Sequence, residues 1–346
     1  MNFYIFFLIF IIFIALYFFL KTFNLLQENT NYSNHKNIGK QNKKPIVLGG
    51  IFFLIVLLLF TQDVSISYKS IIVLITFLGI LSDKNLLPNP KIRFIIQIML
   101  LLYIVNDEAL KIDDMRYELL NSFLTNNLFN LFFTVFCLAI LINGSNFIDG
   151  LNGLFSGYYL IVLISIFYLN FLDNNIFLIN QNFLEIIFFS LLLFFIFNLF
   201  GYIYLGDSGS YLLSFIIGVY LIEFYSNNID NCSPFYVASL LWYPAFENLF
   251  SLLRRTFKKE KLSVPDNLHL HQLIFLFIRD KNIFRKKITN TLTGVSIVMF
   301  NIPSLIASSF FARETTFLVM IIMFNICTYI FCYYFFSQKI LDKKTT

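Results

Sequence analysis

Apolar runs of about 20 residues recur along this chain, each ended by a short polar interruption. A backbone inside hydrocarbon must satisfy its own N–H and C=O groups, so a run of that length with few charges reads as a membrane-spanning helix. The runs fall at 3–26, 46–62, 70–82, 92–106, 128–143, 154–171, 183–200, 210–226, 234–251, 291–311 and 315–337. They predict an all-α polytopic membrane protein with about eleven transmembrane helices. Only 13% of residues are charged, against about 25% in a soluble domain, which excludes an ordinary soluble enzyme. The first run is too long for a signal-peptide core and lacks a small-residue cleavage site, so it is expected to be a retained span. The four cysteines have no zinc-ligand spacing, and a disulfide framework is not expected.

Lys and Arg give the orientation. Lys36, Lys40, Lys43, Lys44, Lys84, Lys91, Arg93, the dense stretch from Arg254 to Lys287, and Lys339, Lys343 and Lys344 all fall on one side of the predicted topology. The other side holds Lys69, Lys111, Arg116 and Arg313. The first side is therefore expected to be cytoplasmic, with the N-terminus periplasmic and the C-terminus cytoplasmic. Residues 1–346 are read as a single integral-membrane domain, in which 252–290 forms a cytoplasmic loop with helical character. Arg254, Arg255, Lys258, Lys259 and Lys261 read as a membrane-surface anchor.

Five polar clusters fall on that cytoplasmic side: Pro45 to Gly50, Ser82-Asp83, Asn143 to Asn152, Gly206-Asp207-Ser208-Gly209-Ser210, and His269 to His271. A carboxylate near hydrocarbon is costly and usually has a task. Asp207 among small residues suits a Mg²⁺ ligand near a phosphate; it equally suits an N-terminal cap on the following helix. His269 and His271 would not share a helix face, but in an extended segment they can converge on one anion. Asp113-Asp114 is the only Asp-Asp pair, yet it sits in an acidic outer loop and reads as solvated. Acids, amides, glycines, histidines and cations gathered at one membrane face suit a metal-bound diphosphate and phosphoryl transfer.

These motifs, in order and at this spacing over roughly 35–280, resemble the polyprenyl-phosphate N-acetylhexosamine-1-phosphate transferases, which include the MraY-like and WecA-like enzymes. The matching segments are Pro45-x-x-x-Gly49-Gly50, Gly79 to Asp83 with Leu87 to Gln97, Asn143 to Leu154, Gly206 to Ser210, and Pro265 to His271. The resemblance implies transfer of a sugar 1-phosphate from a UDP-N-acetylhexosamine to undecaprenyl phosphate, with release of UMP, at the cytoplasmic face of the inner membrane. It implies Mg²⁺, or Mn²⁺ in its place, held by Asp207. By the same likeness Asp83 activates or positions the lipid phosphate, and Asn146 and Asp149 belong to the nucleotide-side loop. Asn198, Arg93, His269 and His271 then contact substrate. Partners are the two substrates and the membrane, with a homodimer compatible and no nucleic acid.

The chain departs from the family pattern in three places. Ser82 stands where the first acid of an Asp pair is usual, Asn152 where a further acid is usual, and Gln272 where a further His is common. These place it nearer the O-antigen and capsule-initiating branch than the peptidoglycan branch. Two other classes compete: a transporter or lipid flippase, which should have polar or broken helices near the bilayer midplane, and a non-catalytic assembly subunit.

Overall fold

The structure, a computed structural model, describes residues 3–27, 45–61, 64–259, 268–281 and 284–345. Lys36, Lys40, Lys43, Lys44, Lys261 and the Pro265–Asn267 part of the histidine motif lie outside the described residues. The helices are α1 (Phe3–Thr22), α2 (Gly49–Phe60), α3 (Ile66–Asp83), α4 (Pro90–Asp107), α5 (Glu118–Leu124), α6 (Asn127–Ile148) and α7 (Leu154–Leu172). They continue with α8 (Gln181–Leu199), α9 (Gly206–Ser226), α10 (Pro234–Leu240), α11 (Trp242–Phe257), α12 (Leu270–Asp280), α13 (Lys286–Phe310) and α14 (Thr315–Thr345). The chain is a polytopic helical membrane protein.

Local chemistry starts several of these helices. The Asn89 side chain accepts the Lys91 N–H at 3.0 Å ahead of Pro90, which opens α4, and Asn126 accepts from Leu128 and Phe129 at the start of α6. Ser233 caps α10 in the same way, again with proline next.

Among the described residues, eight helices are long and apolar enough to cross a membrane: α1, α3, α6, α7, α8, α9, α13 and α14. The other three expected runs are realised differently, each for a visible reason. α2 has only 12 helical residues because its run begins in extended backbone. α4 carries Lys91, Arg93 and Asp107 within its 18 residues. The run 234–251 is broken into α10 and α11. Pro244 has no N–H to give the Leu240 carbonyl, and the Tyr158 hydroxyl donates to that carbonyl instead, at 2.8 Å.

One departure from an all-α chain is small but positions the site. Ile46–Val47 (β1) and Ile203–Tyr204 (β2) pair in parallel, with Ile46 opposite Ile203 and Val47 opposite Tyr204. The Leu48 N–H continues the pairing to the Tyr204 carbonyl at 3.1 Å. Non-helical backbone at the end of an apolar bundle needs such partners. The pairing sets the first turns of α2 and α9 side by side, which is what the Pro45 to Gly50 cluster accomplishes structurally.

α9 is the central helix: 94% of its most apolar window is buried. α3 approaches it so closely at Gly79 that a Cβ there would lie 2.2 Å from the Ser208 Cα. Its 21 residues span about 30 Å. At its far end the Tyr225 hydroxyl donates to the Asp114 carbonyl at 2.6 Å and Ser226 to the Lys111 carbonyl at 3.2 Å. There the Arg116 guanidinium donates to the carbonyls of Arg313 (2.6 Å), Ile229 (3.2 Å) and Cys232 (3.1 Å), tying three loops together. Asp114 accepts from the Arg116 N–H and the Asn121 amide, so the Asp-Asp loop is local turn structure, with Asp113 exposed.

Candidate active site

The site sits at the opposite end of α9, where four of the predicted clusters meet across one cavity of about 1370 Å³. Its polar end is lined by Ser82, Asp83, Arg93, Asn146, Asp149, Asn198, Asp207 and His269. An apolar arm runs away from it between α4 and α6, along Phe94, Ile95, Ile98, Phe132, Val135, Phe136, Ala139 and Ile140. The volume exceeds the roughly 300–1,000 Å³ of an ordinary small-molecule pocket. A cavity polar at one end and apolar along an arm accommodates an amphiphile beside a polar reactant.

Asp207 occupies the first turn of α9, with its side chain 12% exposed. Its Oδ2 accepts the Ser82 hydroxyl at 2.5 Å and pairs with Arg93 Nη1 at 3.0 Å; the same Nη1 also donates to Ser82. Ser82, in place of the usual acid, is thus bridged to both charges. Asp83 faces the other way, into the backbone. Its Oδ1 accepts the Asp207 N–H at 2.7 Å, and its Oδ2 accepts the Ser208 N–H at 3.1 Å and the Ser208 hydroxyl at 2.7 Å.

The Asn143 to Asn152 stretch forms the last turns of α6 and the loop into α7. Asn146 accepts from Ser210 at 3.2 Å and donates to the Tyr211 hydroxyl at 3.4 Å, linking this stretch to α9. Asn143 donates to Gln97 at 3.3 Å along the cavity wall. Asp149 is the C-cap residue of α6, half-buried at the cavity edge. Asn198 accepts the Gly153 N–H at 2.7 Å and donates to the Ile203 carbonyl at 2.9 Å. Both ends of that amide clamp backbone, joining the loop before α7 to β2. Asn152 is likewise engaged, its N–H donated to Asn290 at 2.8 Å.

His269 is the N-cap residue of α12 in extended conformation, and His271 follows in the first turn. Their rings stack with centroids 5.7 Å apart. As the spacing predicts, they converge on one anion, but that anion is the chain's own Glu247 on α11. Its Oε1 lies 2.9 Å from His269 Nδ1 and its Oε2 lies 3.9 Å from His271 Nδ1. Burial holds the His271 imidazole below its ordinary pKa, while Glu247 pulls the other way. His269 also packs on Phe147, at 4.7 Å between ring centroids, and reaches the cavity; His271 is fully buried.

Glu247 is the residue the motifs miss. The available signal was a lone acid within an apolar run, the same signal that singles out Asp207. Arg254 and Arg255 also correct an expectation. Both are buried: Arg254 donates to the Tyr333 hydroxyl at 3.0 Å, and Arg255 lines the cavity. The basic stretch therefore begins inside the bundle and not as a surface anchor.

Among the described residues, no three His, Cys, Asp or Glu side chains converge as a ready-made metal cage. Mg²⁺ is commonly held by one or two carboxylates plus waters and substrate phosphates. Asp207, a carboxylate at the polar end of a cavity that also holds Arg93, fits that mode of binding with a diphosphate.

A helical membrane protein with a polar cavity at one end of its bundle is the class this architecture defines. Residues 65–225 match the family model for glycosyl transferase family 4. It is similar to a probable undecaprenyl-phosphate N-acetylglucosaminyl 1-phosphate transferase of Bacillus subtilis, at 28% identity over 218 residues, covering 63% of this chain and 59% of the relative. It is also similar to an undecaprenyl-phosphate alpha-N-acetylglucosaminyl 1-phosphate transferase of Thermotoga maritima, at 27% identity over 201 residues, covering 57% and 58%. The chain thus spans less than two thirds of the length of both relatives.

Proposed function

We propose that this chain transfers N-acetylglucosamine 1-phosphate from UDP-N-acetylglucosamine to undecaprenyl phosphate, releasing UMP and initiating a cell-envelope glycan. The observation that carries the reading is the single cavity with a polar end at Asp207 and Arg93 and an apolar arm between α4 and α6. The names of the two relatives supply the sugar and the lipid. In this reaction an oxygen of the lipid phosphate bonds to the sugar-linked phosphorus as that phosphorus releases the oxygen of UMP. Charge spreads over phosphoryl oxygens in the transition state, so positioning and neutralisation do most of the catalysis.

The residues divide accordingly. Asp207 would hold Mg²⁺, or Mn²⁺ in its place, which supplies charge neutralisation to the diphosphate. Arg93, released from Asp207 or shared with it, faces the phosphates. Asn146 and Asp149 stand on the nucleotide side, and His269 presents its ring at the cavity edge, oriented by Glu247. Asn198 serves by holding the loop that carries Gly153. Asp83 stands behind Asp207. The apolar arm takes the first isoprene units of the lipid.

The proposal includes a topology of eleven spans, with the N-terminus periplasmic, the cavity on the cytoplasmic face of the inner membrane, and the chain competent to act as a monomer or homodimer. Purified protein in detergent, given radiolabelled UDP-N-acetylglucosamine, Mg²⁺ and undecaprenyl phosphate, should produce labelled lipid and one UMP per transfer. Label that stays water-soluble with wild-type protein would overturn the reading.

A further inference from the structure

We infer that Asp83 is a positioning residue: its carboxylate caps the first turn of α9 and holds Asp207 toward the cavity, instead of exchanging a proton with the acceptor phosphate. This rests on the reaction proposed above and changes the role that the family resemblance implies for Asp83. Three hydrogen bonds carry it. Both carboxylate oxygens face α9, accepting the backbone N–H groups of Asp207 and Ser208 and the Ser208 hydroxyl at 2.7–3.1 Å. The first turn of a helix leaves N–H groups without intrahelical partners, and a carboxylate set against them is stabilised by the helix dipole. α9 needs a cap from elsewhere, because Leu205 occupies its N-cap position and offers no side-chain acceptor.

The fold is shaped around that contact. Gly206 has φ +75°, and a Cβ on it would lie 2.7 Å from Asp83 Oδ2 and 2.4 Å from a Val47 methyl. Glycine leaves the space the carboxylate fills, and its left-handed backbone turns the next two N–H groups toward Asp83. The Asp207 side chain then leaves the opposite side of the same turn, toward Ser82 and Arg93. Both carboxylate oxygens are taken up by α9 donors, two of them main-chain, so turning the carboxylate to another partner would break those bonds. The acceptor phosphate has little need of one, since a phosphate monoester with a second pKa of about 6 is already mostly dianionic at pH 7.

The experiment compares Asp83→Asn, Asp83→Glu and Gly206→Ala in the radiolabelled transfer assay, each checked for membrane insertion and unfolding temperature in detergent. Asparagine has no basicity and keeps one acceptor oxygen for the α9 N–H groups, the other being replaced by an NH2 group. Glutamate keeps the carboxylate but is one methylene too long for the space beside Gly206. A capping role predicts Asp83→Asn, with one of the two acceptor oxygens left, reduced by about tenfold with an unchanged pH profile, and Asp83→Glu down by roughly 100-fold or more. Gly206→Ala, which alters no titratable group, should fall alongside Asp83→Glu. A proton-transfer role predicts the reverse order, and a well-folded but inactive Asp83→Asn overturns the inference whatever the glutamate variant does. Wild-type protein that transfers nothing counts against the reaction alone. The capping role is then read from unfolding temperatures, which should fall for Asp83→Ala and fall less for Asp83→Asn; equal losses would overturn it.

Discussion

Glu247 and His269 form a buried hydrogen-bonded pair, 2.9 Å from carboxylate oxygen to ring nitrogen, with His271 stacked behind. The pair joins α11 to the start of α12 and thereby fixes where the histidine motif meets the cavity. Removing the carboxylate leaves the buried His269 ring nitrogen without its partner, at a cost of about 1–3 kcal/mol. Glu247→Ala should therefore lower the unfolding temperature in detergent markedly. Glu247→Gln, which keeps a hydrogen-bond acceptor, should lower it less. Equal stability of wild type and Glu247→Ala would show that the carboxylate does not hold the histidines.

Acid should weaken the same region. His271 is buried and its pKa lies below the ordinary 6.5, desolvation being the main cause. Its neutral form is the one the fold prefers, so the unfolded chain binds the extra proton first. The stabilisation is fully present above the unfolded value and is lost as pH falls through the folded one. Glu247 and His269 face it, and the Glu247 charge moderates the effect. Unfolding temperature should drop as pH is taken below about 6.5. His271→Gln should flatten that slope, and an identical slope in the variant would remove His271 as its source.

The five polar clusters were legible in the sequence, four because they bound apolar runs, where a polar group is costly enough to be informative, and His269 to His271 by its spacing within the 252–290 loop. Four of them line the cavity, and the fifth, Pro45 to Gly50, sets the paired starts of α2 and α9 and reaches the cavity through Val47. Glu247 stood out only as a lone acid, and its place against the histidines was not legible because 234–251 reads as one span. The break before it arises from Pro244 together with a hydroxyl on α7, a contact that local sequence does not display. The Asp83 cap was hidden similarly, since its partners lie 124 and 125 residues further along the chain. The single-letter departure at Ser82 was visible at once, but its bridging of Arg93 to Asp207 required the geometry.

Asp207→Asn should test the metal assignment. Removing one preorganised charge at a developing phosphoryl charge costs about 10²–10³-fold in kcat, or about 2.7–4 kcal/mol. The backbone N–H that Asp83 accepts is retained, so folding should be unchanged. Near-normal turnover by well-folded Asp207→Asn would remove Asp207 from the reaction.

Ser82→Asp places a second carboxylate against Asp207 and Arg93. If the position contributes to a metal site, the Mg²⁺ concentration for half-maximal transfer should fall; a base at that position would shift the pH profile instead. Ser82→Ala should keep activity within about tenfold, since a hydroxyl is a weak ligand and Arg93 still pairs directly with Asp207 when the two hydrogen bonds of the hydroxyl are lost. A Ser82→Ala enzyme without activity would make the hydroxyl essential and defeat this account.

The apolar arm gives the last prediction. Ala139 is 4% exposed, on α6, and lines the arm where the lipid is proposed to lie. Its small side chain leaves the arm open between α4 and α6. Ala139→Trp fills that space with an aromatic ring while the polar end, at Asp207 and Arg93, is untouched. Loss of binding common to the ground and transition states raises KM and leaves kcat in place. The variant should raise KM for undecaprenyl phosphate several-fold and leave KM for UDP-N-acetylglucosamine close to wild type. A shorter-chain polyprenyl phosphate, which makes less use of the arm, should show a smaller difference between variant and wild type. If KM rose for the nucleotide sugar and not for the lipid, the arm would belong to the other substrate and the proposed arrangement of the two would be reversed.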